Sequence, residues 1–406
     1  MYLRPTGNRG LRKWQLKWWS LNTVAALSQL KQFDASAGRW CDARRLAPGM
    51  DQVRRRKEKF RIGLLVPFSG NDAIWGPSGQ FSAVLAAAKI NALGGLLGRE
   101  IELFAADSGG TPGNVVGRVG ELLNAHGVEA LAGVHMSNVR IAIRNAFDRQ
   151  IPYVYGTQYE GGESAHGLFA IGETPVEQYR DAIAWMIQKH GARRWHFLGN
   201  DYIWPRQTHA IVKELVQDAG GEVVGIDYLP IGGRHHRAMT KRIKMSAPDI
   251  LFETLVGTDC VTFNKVFAEE GLSKKVMRLS GVIEENVLMG IGVDHSENLF
   301  GVSGYFNSLK TSENRQFLNE YKAAYGPNAP IQGGMSQPCY ENIVFLASLV
   351  EAVGAVDVGK MTVMSKDFSY HGARGRVRIS DDKTLMDCHL MVSNGLDYEH
   401  VRSFPA

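Results

Sequence analysis

Leu131-Ala132-Gly133-Val134-His135-Met136-Ser137-Asn138-Val139-Arg140, a helical run to Gln150, and then Ile151-Pro152-Tyr153-Val154-Tyr155-Gly156-Thr157-Gln158-Tyr159-Glu160-Gly161 decide how this chain is read. Leu131 and Ala132 close a short apolar strand, Ser137 stands at the position of a helix N-cap, and Asn138 to Gln150 carries Val139, Ile141, Ile143, Ala146 and Phe147 at helical spacing. Tyr153 to Tyr155 then predicts a second strand. Two parallel strands joined by a helix open at the same sheet edge, and that edge is where α/β proteins bind ligands. It offers hydroxyls at Ser137 and Thr157, an amide at Gln158, phenols at Tyr155 and Tyr159, and the ring of His135. No lysine, base-activated nucleophile or metal cluster accompanies them, so the edge is equipped to hold a small polar molecule rather than transform it.

The same grammar extends in both directions. Upstream, Arg61 to Pro67 is a continuous apolar run, as suits a parallel strand buried on both faces. A polar loop, Phe68-Ser69-Gly70-Asn71-Asp72, leads to a helix over 78–93, a strand over 99–105 and a helix through Ala125. Downstream, helices are predicted over 176–190, 205–219 and 261–270, and strands over 195–199, 222–228, 250–255, 276–280 and 299–304. Two further helices, 312–326 and 338–354, precede short strands around 374–380 and 388–394. Strand–helix alternation run through twice gives an α/β fold of two doubly wound Rossmann-like lobes joined by a three-segment hinge. Residues 59–172 with 304–379 form the first lobe, and 173–303 with 380–402 the second. Hinge crossings are expected near Gly172, Gly304 and Ser380.

Charge separates the two ends of the chain. The 406 residues carry a formal +5, but residues 1–61 hold 15 Lys and Arg against 4 Asp and Glu, so the body is mildly acidic. Such a body lacks the basic footprint of a nucleic-acid-binding protein. Residues 1–58 include Trp14, Trp18, Trp19 and Trp40, half of the tryptophans, with little periodicity, and read as a tail outside the fold. Arg9, Arg12, Lys13 and Lys17 before Ala35-Ser36-Ala37 would frame a secretory signal, yet the stretch between is interrupted by Ser20, Asn22, Thr23, Ser28 and Gln29. The resulting expectation is a cytoplasmic protein, with a periplasmic one as the alternative if the tail is a degenerate signal. Met50, before Asp51-Gln52-Val53-Arg54, reads as an alternative start. No apolar run reaches the roughly 20 residues of a membrane span. Cys41, Cys260, Cys339 and Cys388 are scattered, without metal-ligand or redox spacing, and no cofactor pattern is present.

Several separated motifs carry a resemblance. They include Asn91-Ala92-Leu93-Gly94-Gly95-Leu96-Leu97-Gly98-Arg99, Gly133 to Ser137, Gln158-Tyr159-Glu160-Gly161, Asp201-Tyr202-Ile203-Trp204-Pro205-Arg206 and Thr254-Leu255-Val256-Gly257-Thr258. Over about 60–401 the chain resembles type I periplasmic binding proteins of the leucine/isoleucine/valine-binding branch. Within them it is most similar to amide sensors of amidase operons and to urea-binding components of ABC importers. The resemblance implies that Ser137 and Thr157 grip a carbonyl or carboxylate from the first lobe. It further implies that Tyr202 and Trp204 close from the second, with Val256, Gly257 and Glu284 completing the cage and His135, Tyr155 and Gln158 lining it. His135 and Trp204 depart from the amide-sensor pattern.

Plainer readings stand beside these. Ser137 could be only a helix cap, Tyr202 and Trp204 only core aromatics, and Glu284 beside Glu285 a paired-carboxylate site or a solvated loop. His235-His236, between Arg234 and Arg237, reads as an exposed basic loop. The function expected is non-catalytic binding of a short amide, urea or amino-acid-like ligand, as a cytoplasmic sensor or as an ABC-transporter substrate-binding component. The alternatives are an amide-processing enzyme or an exported amino-acid-binding protein of a branched-chain amino acid importer. The partner would be a regulator protein or an ABC permease, and homo-oligomerisation is left open.

Overall fold

A computed structural model describes residues 59–380 and 383–406 in full, and 32–34 and 39–41 as backbone. The latter are two strands, β1 (Gln32–Asp34) and β2 (Arg39–Cys41), paired antiparallel. The reading of 1–58 as a tail, including its signal, start and Cys41, otherwise lies outside the described residues.

The body holds two parallel sheets. In the first, β3 (Phe60–Val66) is central because Phe60-Arg61-Ile62-Gly63-Leu64-Leu65-Val66 is apolar on both faces, and Ile62, Leu64, Leu65 and Val66 are fully buried. Beside it lie β4 (Ile101–Asp107), β5 (Ala130–Gly133), β6 (Tyr153–Tyr155) and β7 (Leu168–Ala170), in the order β4-β3-β5-β6-β7. One face is covered by α1 (Gly76–Ala92) and, much later in the chain, by α10 (Pro338–Val353). The other carries α2 (Pro112–His126) and α3 (Ser137–Ala146). Helix α2 shows how local sequence sets the ends. The Thr111 hydroxyl accepts from the Asn114 N–H, Pro112 starts the first turn, and Gly127 takes the left-handed conformation that closes it.

In the second sheet β8 (Arg194–Asn200), β9 (Glu222–Leu229), β10 (Ile250–Thr254), β11 (Met277–Ser280) and β12 (Leu299–Ser303) run parallel. They are ordered β12-β11-β10-β8-β9, and β16 (Cys388–Asn394) and β17 (Asp397–Phe404) add an antiparallel edge beside β12. Helices α4 (Pro175–His190) and α5 (Ile203–Asp218) cover one face. Helices α6 (His236–Ser246), α7 (Gly257–Glu269) and α8 (Glu285–Ile291) cover the other. A small antiparallel sheet, β13 (Asp367–Gly372), β14 (Gly375–Ser380) and β15 (Lys383–Leu385), packs on the first unit with α9 (Ser312–Tyr325) and α11 (Val358–Met364).

The chain passes between the sheets after β7, after β12 and after β15. The last crossing falls beyond Leu385 rather than near Ser380, because β15 still pairs with β14. Two further differences have simple causes. His236 begins a helix instead of sitting in a basic loop, since Thr240 and Ile243 turn one face of α6 into the core. Ser137 is the first residue inside α3 and Met136 its cap. Cys260, Cys339 and Cys388 are buried and unpaired. Among the described residues no single helix is long and apolar enough to cross a membrane.

Truncating Leu64 to alanine, at the centre of β3, is expected to cost about 2–5 kcal/mol through lost burial and the cavity left behind. Urea unfolding checks this; a loss below about 1 kcal/mol would mean that β3 is not packed as described.

Candidate functional site

The carboxyl ends of both sheets face each other across a cleft of about 410 Å³, counted with its open mouth. From the first unit it is lined by His135, Met136, Ser137, Tyr155, Thr157 and Gln158. Tyr202, Trp204, Val256 and Val282 line it from the second, and the loop after β3 adds Asp72 and Trp75. Eight of the ten residues expected from sequence are therefore brought together, all but Gly257 and Glu284.

Ser137 is set by a buried ionic network. Its hydroxyl donates to Glu160 at 2.7 Å and accepts from Arg140 at 3.3 Å, while Arg140 also donates to the other Glu160 oxygen at 2.7 Å. Arg140 further pairs with Glu163 at 3.3 Å and lies over the rings of Tyr155 and Tyr159. Burial works against the Arg140 charge, but Tyr155, Glu160 and Glu163 more than offset it and raise its pKa. The Ser137 proton is thus committed to Glu160. What the head of α3 still presents to the cleft is backbone N–H, because the first turn of a helix has no internal acceptors. Thr157 is the contrasting case: its hydroxyl oxygen is buried in the cleft wall beside the Tyr155 phenol, and no carboxylate or carbonyl takes its proton. A buried hydroxyl short of partners costs free energy until something fills the missing place.

His135 is a buried, neutral wall residue. Its Nδ1 lies 3.2 Å from the Met136 carbonyl, which can only accept, so Nδ1 carries the proton and Nε2 accepts from the Tyr153 hydroxyl at 2.6 Å. Burial pushes the imidazole down to about 3. Tyr155 donates to the His135 carbonyl at 2.7 Å, and burial pushes its phenol up to about 12. Both rings shape the cleft, with their polar atoms already engaged.

Three expected contacts differ in role or place. The Gln158 amide spans the two units instead of facing inward, donating to the Gly281 carbonyl at 3.1 Å and accepting from Gln178 at 2.6 Å. Gly257 has φ +55°, and a Cβ there would collide with the Asn71 carbonyl; it belongs to a contact between the units. Glu284 caps α8 by accepting from the Val287 N–H and, at 2.8 Å, from the Trp75 indole, so it orients a cleft ring from behind. Burial raises its pKa, and the bonds from Trp75 and Asn286 oppose that.

Trp204 is buried, with its ring 6.3 Å from that of Tyr202, and both edge the cleft. Asn71, Asp72 and Trp75 were not expected. Asn71 accepts from the Asp259 N–H and the Thr258 hydroxyl and donates to the Val256 carbonyl, capping α7 from the other unit. The sequence signal for these residues was present, a polar loop directly after the first parallel strand, where ligand loops are found. Among the described residues no group of three His, Cys, Asp or Glu is placed to hold a metal ion.

Residues 59–393 match the periplasmic binding protein family. A Leu/Ile/Val-binding protein homolog 6 from Brucella melitensis is 25% identical over 349 residues, covering 79% of this chain and 84% of its own. A Rhodopseudomonas palustris ABC-transporter solute-binding protein, solved with p-hydroxybenzoic acid, superposes with TM-score 0.78 at 20% identity, over 86% of this chain and 98% of its own. A Streptococcus pneumoniae branched-chain amino acid transporter substrate-binding protein, solved with isoleucine, gives 0.75 at 17% identity, over 86% and 100%. These matches overturn the cytoplasmic placement read from the tail, since the family that the chain matches is that of periplasmic binding proteins and the solved neighbours are substrate-binding proteins of transporters.

Replacing Arg140 by methionine leaves Glu160 without its buried partner and is expected to destabilise the protein by about 3–5 kcal/mol. Adding Glu160→Gln should recover part of the loss. A double-mutant cycle by denaturant unfolding checks this, and strict additivity would contradict the network.

Proposed function

This chain belongs to the type I periplasmic binding protein family, and on that premise we propose that it is a non-catalytic solute-binding protein. It works outside the cytoplasm and hands a small polar ligand to an ABC permease. The ligand is a short amide, urea or amino acid. It is held between the lobes by the Thr157 hydroxyl and the N–H groups at the head of α3, with Tyr155, Tyr202 and Trp204 excluding water around it. His135, Ser137 and Val256 complete the wall.

The observation that carries this reading is Thr157: a buried hydroxyl beside the Tyr155 phenol whose proton no carboxylate or carbonyl takes, in a cleft whose walls come from two sheets. A ligand oxygen there accepts the Thr157 proton and lies at a helix head, where negative charge is favoured by about 0.3–1 kcal/mol. Because the ligand would touch both walls, it binds the closed arrangement better than the open one and shifts the balance by that difference. A permease can then distinguish loaded from empty protein by shape. The amino-acid part of the reading draws support from the isoleucine-bound neighbour, and a carboxylate-gripping wall from the hydroxybenzoate-bound one.

A thermal-shift screen of the purified protein against short amides, ureas, amino acids and aromatic carboxylates tests the reading; no stabilisation by any of them would refute it. For a compound that binds, Thr157→Val should weaken affinity by about 1–3 kcal/mol while leaving the ligand-free melting temperature unchanged. Ser137→Ala should cost less, because that proton is already given to Glu160. Calorimetry on the two variants decides, and equal or larger loss at Ser137 would contradict the assignment.

A further inference from the structure

The cleft contains a carboxylate that the fold does not use. Asp72 is 2% exposed, lines the cleft, and its Oδ1 is buried without a hydrogen-bond partner. Among the described residues no Lys, Arg or His forms an ion pair with it. The other charged groups near the cleft are already balanced: Glu160 faces Arg140, and Glu284 accepts from Trp75, Asn286 and the α8 backbone. His135 is neutral and hydrogen-bonded at both nitrogens, so it supplies no countercharge.

Asp72 is also held in place. On one side Asp107 accepts from the Phe68 and Ser69 N–H groups at 2.8 and 3.2 Å and from the Ser69 hydroxyl at 2.6 Å, anchoring the start of the loop. On the other, Asn71 caps α7, and Trp75 is fixed on Glu284. The backbone on both sides of Asp72 is thus anchored. Burial pushes its carboxyl up to about 7. Nearby Asp107 adds to this rise and the residue's own backbone N–H offsets part of it, while Oδ1 is left for an incoming group.

We infer that Asp72 recognises a nitrogen-bearing end of the ligand, an ammonium or an amide N–H donor, opposite the oxygen end held by Thr157 and the head of α3. The inference rests on the cleft being the binding site and narrows its occupant. Simple carboxylic acids without nitrogen, such as benzoates, would bring a second negative charge against Asp72 and are disfavoured.

Matched pairs test it by calorimetry on the wild type and on Asp72→Asn: L-leucine with 4-methylpentanoate, benzamide with benzoate, and acetamide with acetate. The expected result is that at least one nitrogen-bearing member binds the wild type at least about 10-fold more tightly than its counterpart. Asp72→Asn should then lose about 10- to 100-fold for that member, with affinity for the nitrogen-free acid unchanged or improved. The ligand-free variant should melt at the same or a higher temperature, since an unsatisfied buried acid has been neutralised. Equal binding within every pair, no effect of Asp72→Asn, or a markedly lower melting temperature would each overturn the role of Asp72. If none of the six binds the wild type, the pair is formed from whichever compound the thermal-shift screen finds and its nitrogen-free or nitrogen-bearing counterpart; if that screen finds none, the reading of the cleft falls and the inference falls with it.

Discussion

One asparagine side chain joins the two halves of this protein. Asn71, on the loop leaving β3, supplies the cap that α7 lacks in its own lobe: Val256 at the cap position makes no side-chain bond to the helix. The first N–H groups of α7 need acceptors, and in this arrangement the opposite lobe provides them. Gly257 permits the approach, because its positive φ and missing side chain leave room for the Asn71 carbonyl, which accepts from the Thr258 N–H at 2.9 Å. An opening of the cleft would expose this helix end to water, and closing would restore the cap. The same loop carries Asp72 and Trp75 to the cleft, so lobe contact and ligand contact are made by adjacent residues.

The hinge side is built differently. Glu173 is buried between crossing segments, accepting from the Gly304 N–H at 2.6 Å and facing Arg374 at 3.5 Å. Gln158 and Gln178 add a direct bond between the units. These contacts lie where the chain crosses between the units, whereas the Asn71 cap joins the loop after β3 to the head of α7. Permanent bonds near the axis and conditional bonds at the rim are what a hinge motion requires. A ligand needs only to tip that balance, by as much as it prefers one state over the other.

Much of this was legible in the sequence, and for physical reasons. Continuous apolar runs such as Ile62 to Val66 suit parallel strands buried on both faces, and the strand–helix spacing around Ser137 places hydroxyls and helix heads at one edge. What the sequence hid was which polar atoms are already spent. Ser137 and Thr157 look alike as residues, yet Glu160 takes the proton of one, while the other has only the Tyr155 phenol beside it and no carboxylate or carbonyl. Glu284 was expected to complete the cage, but it stands behind the wall on Trp75, which lies 209 residues earlier, and such a pairing has no local signature. Gly257 and Asn71 were missed as a pair for the same reason. The short helix α6 was masked by its charged surface, since only Thr240 and Ile243 mark its buried face.

The central claim is that the two lobes close on a ligand held between them, with the Asn71 cap made only in the closed state. Pulsed electron paramagnetic resonance between spin labels at two exposed positions, Glu121 on α2 and Glu214 on α5, measures this directly. With a compound that raises the melting temperature, the distances should collapse from a broad distribution to one narrow, shorter peak, and Asn71→Ala should shift the population back toward the broad form. Identical distributions with and without the compound would contradict the account.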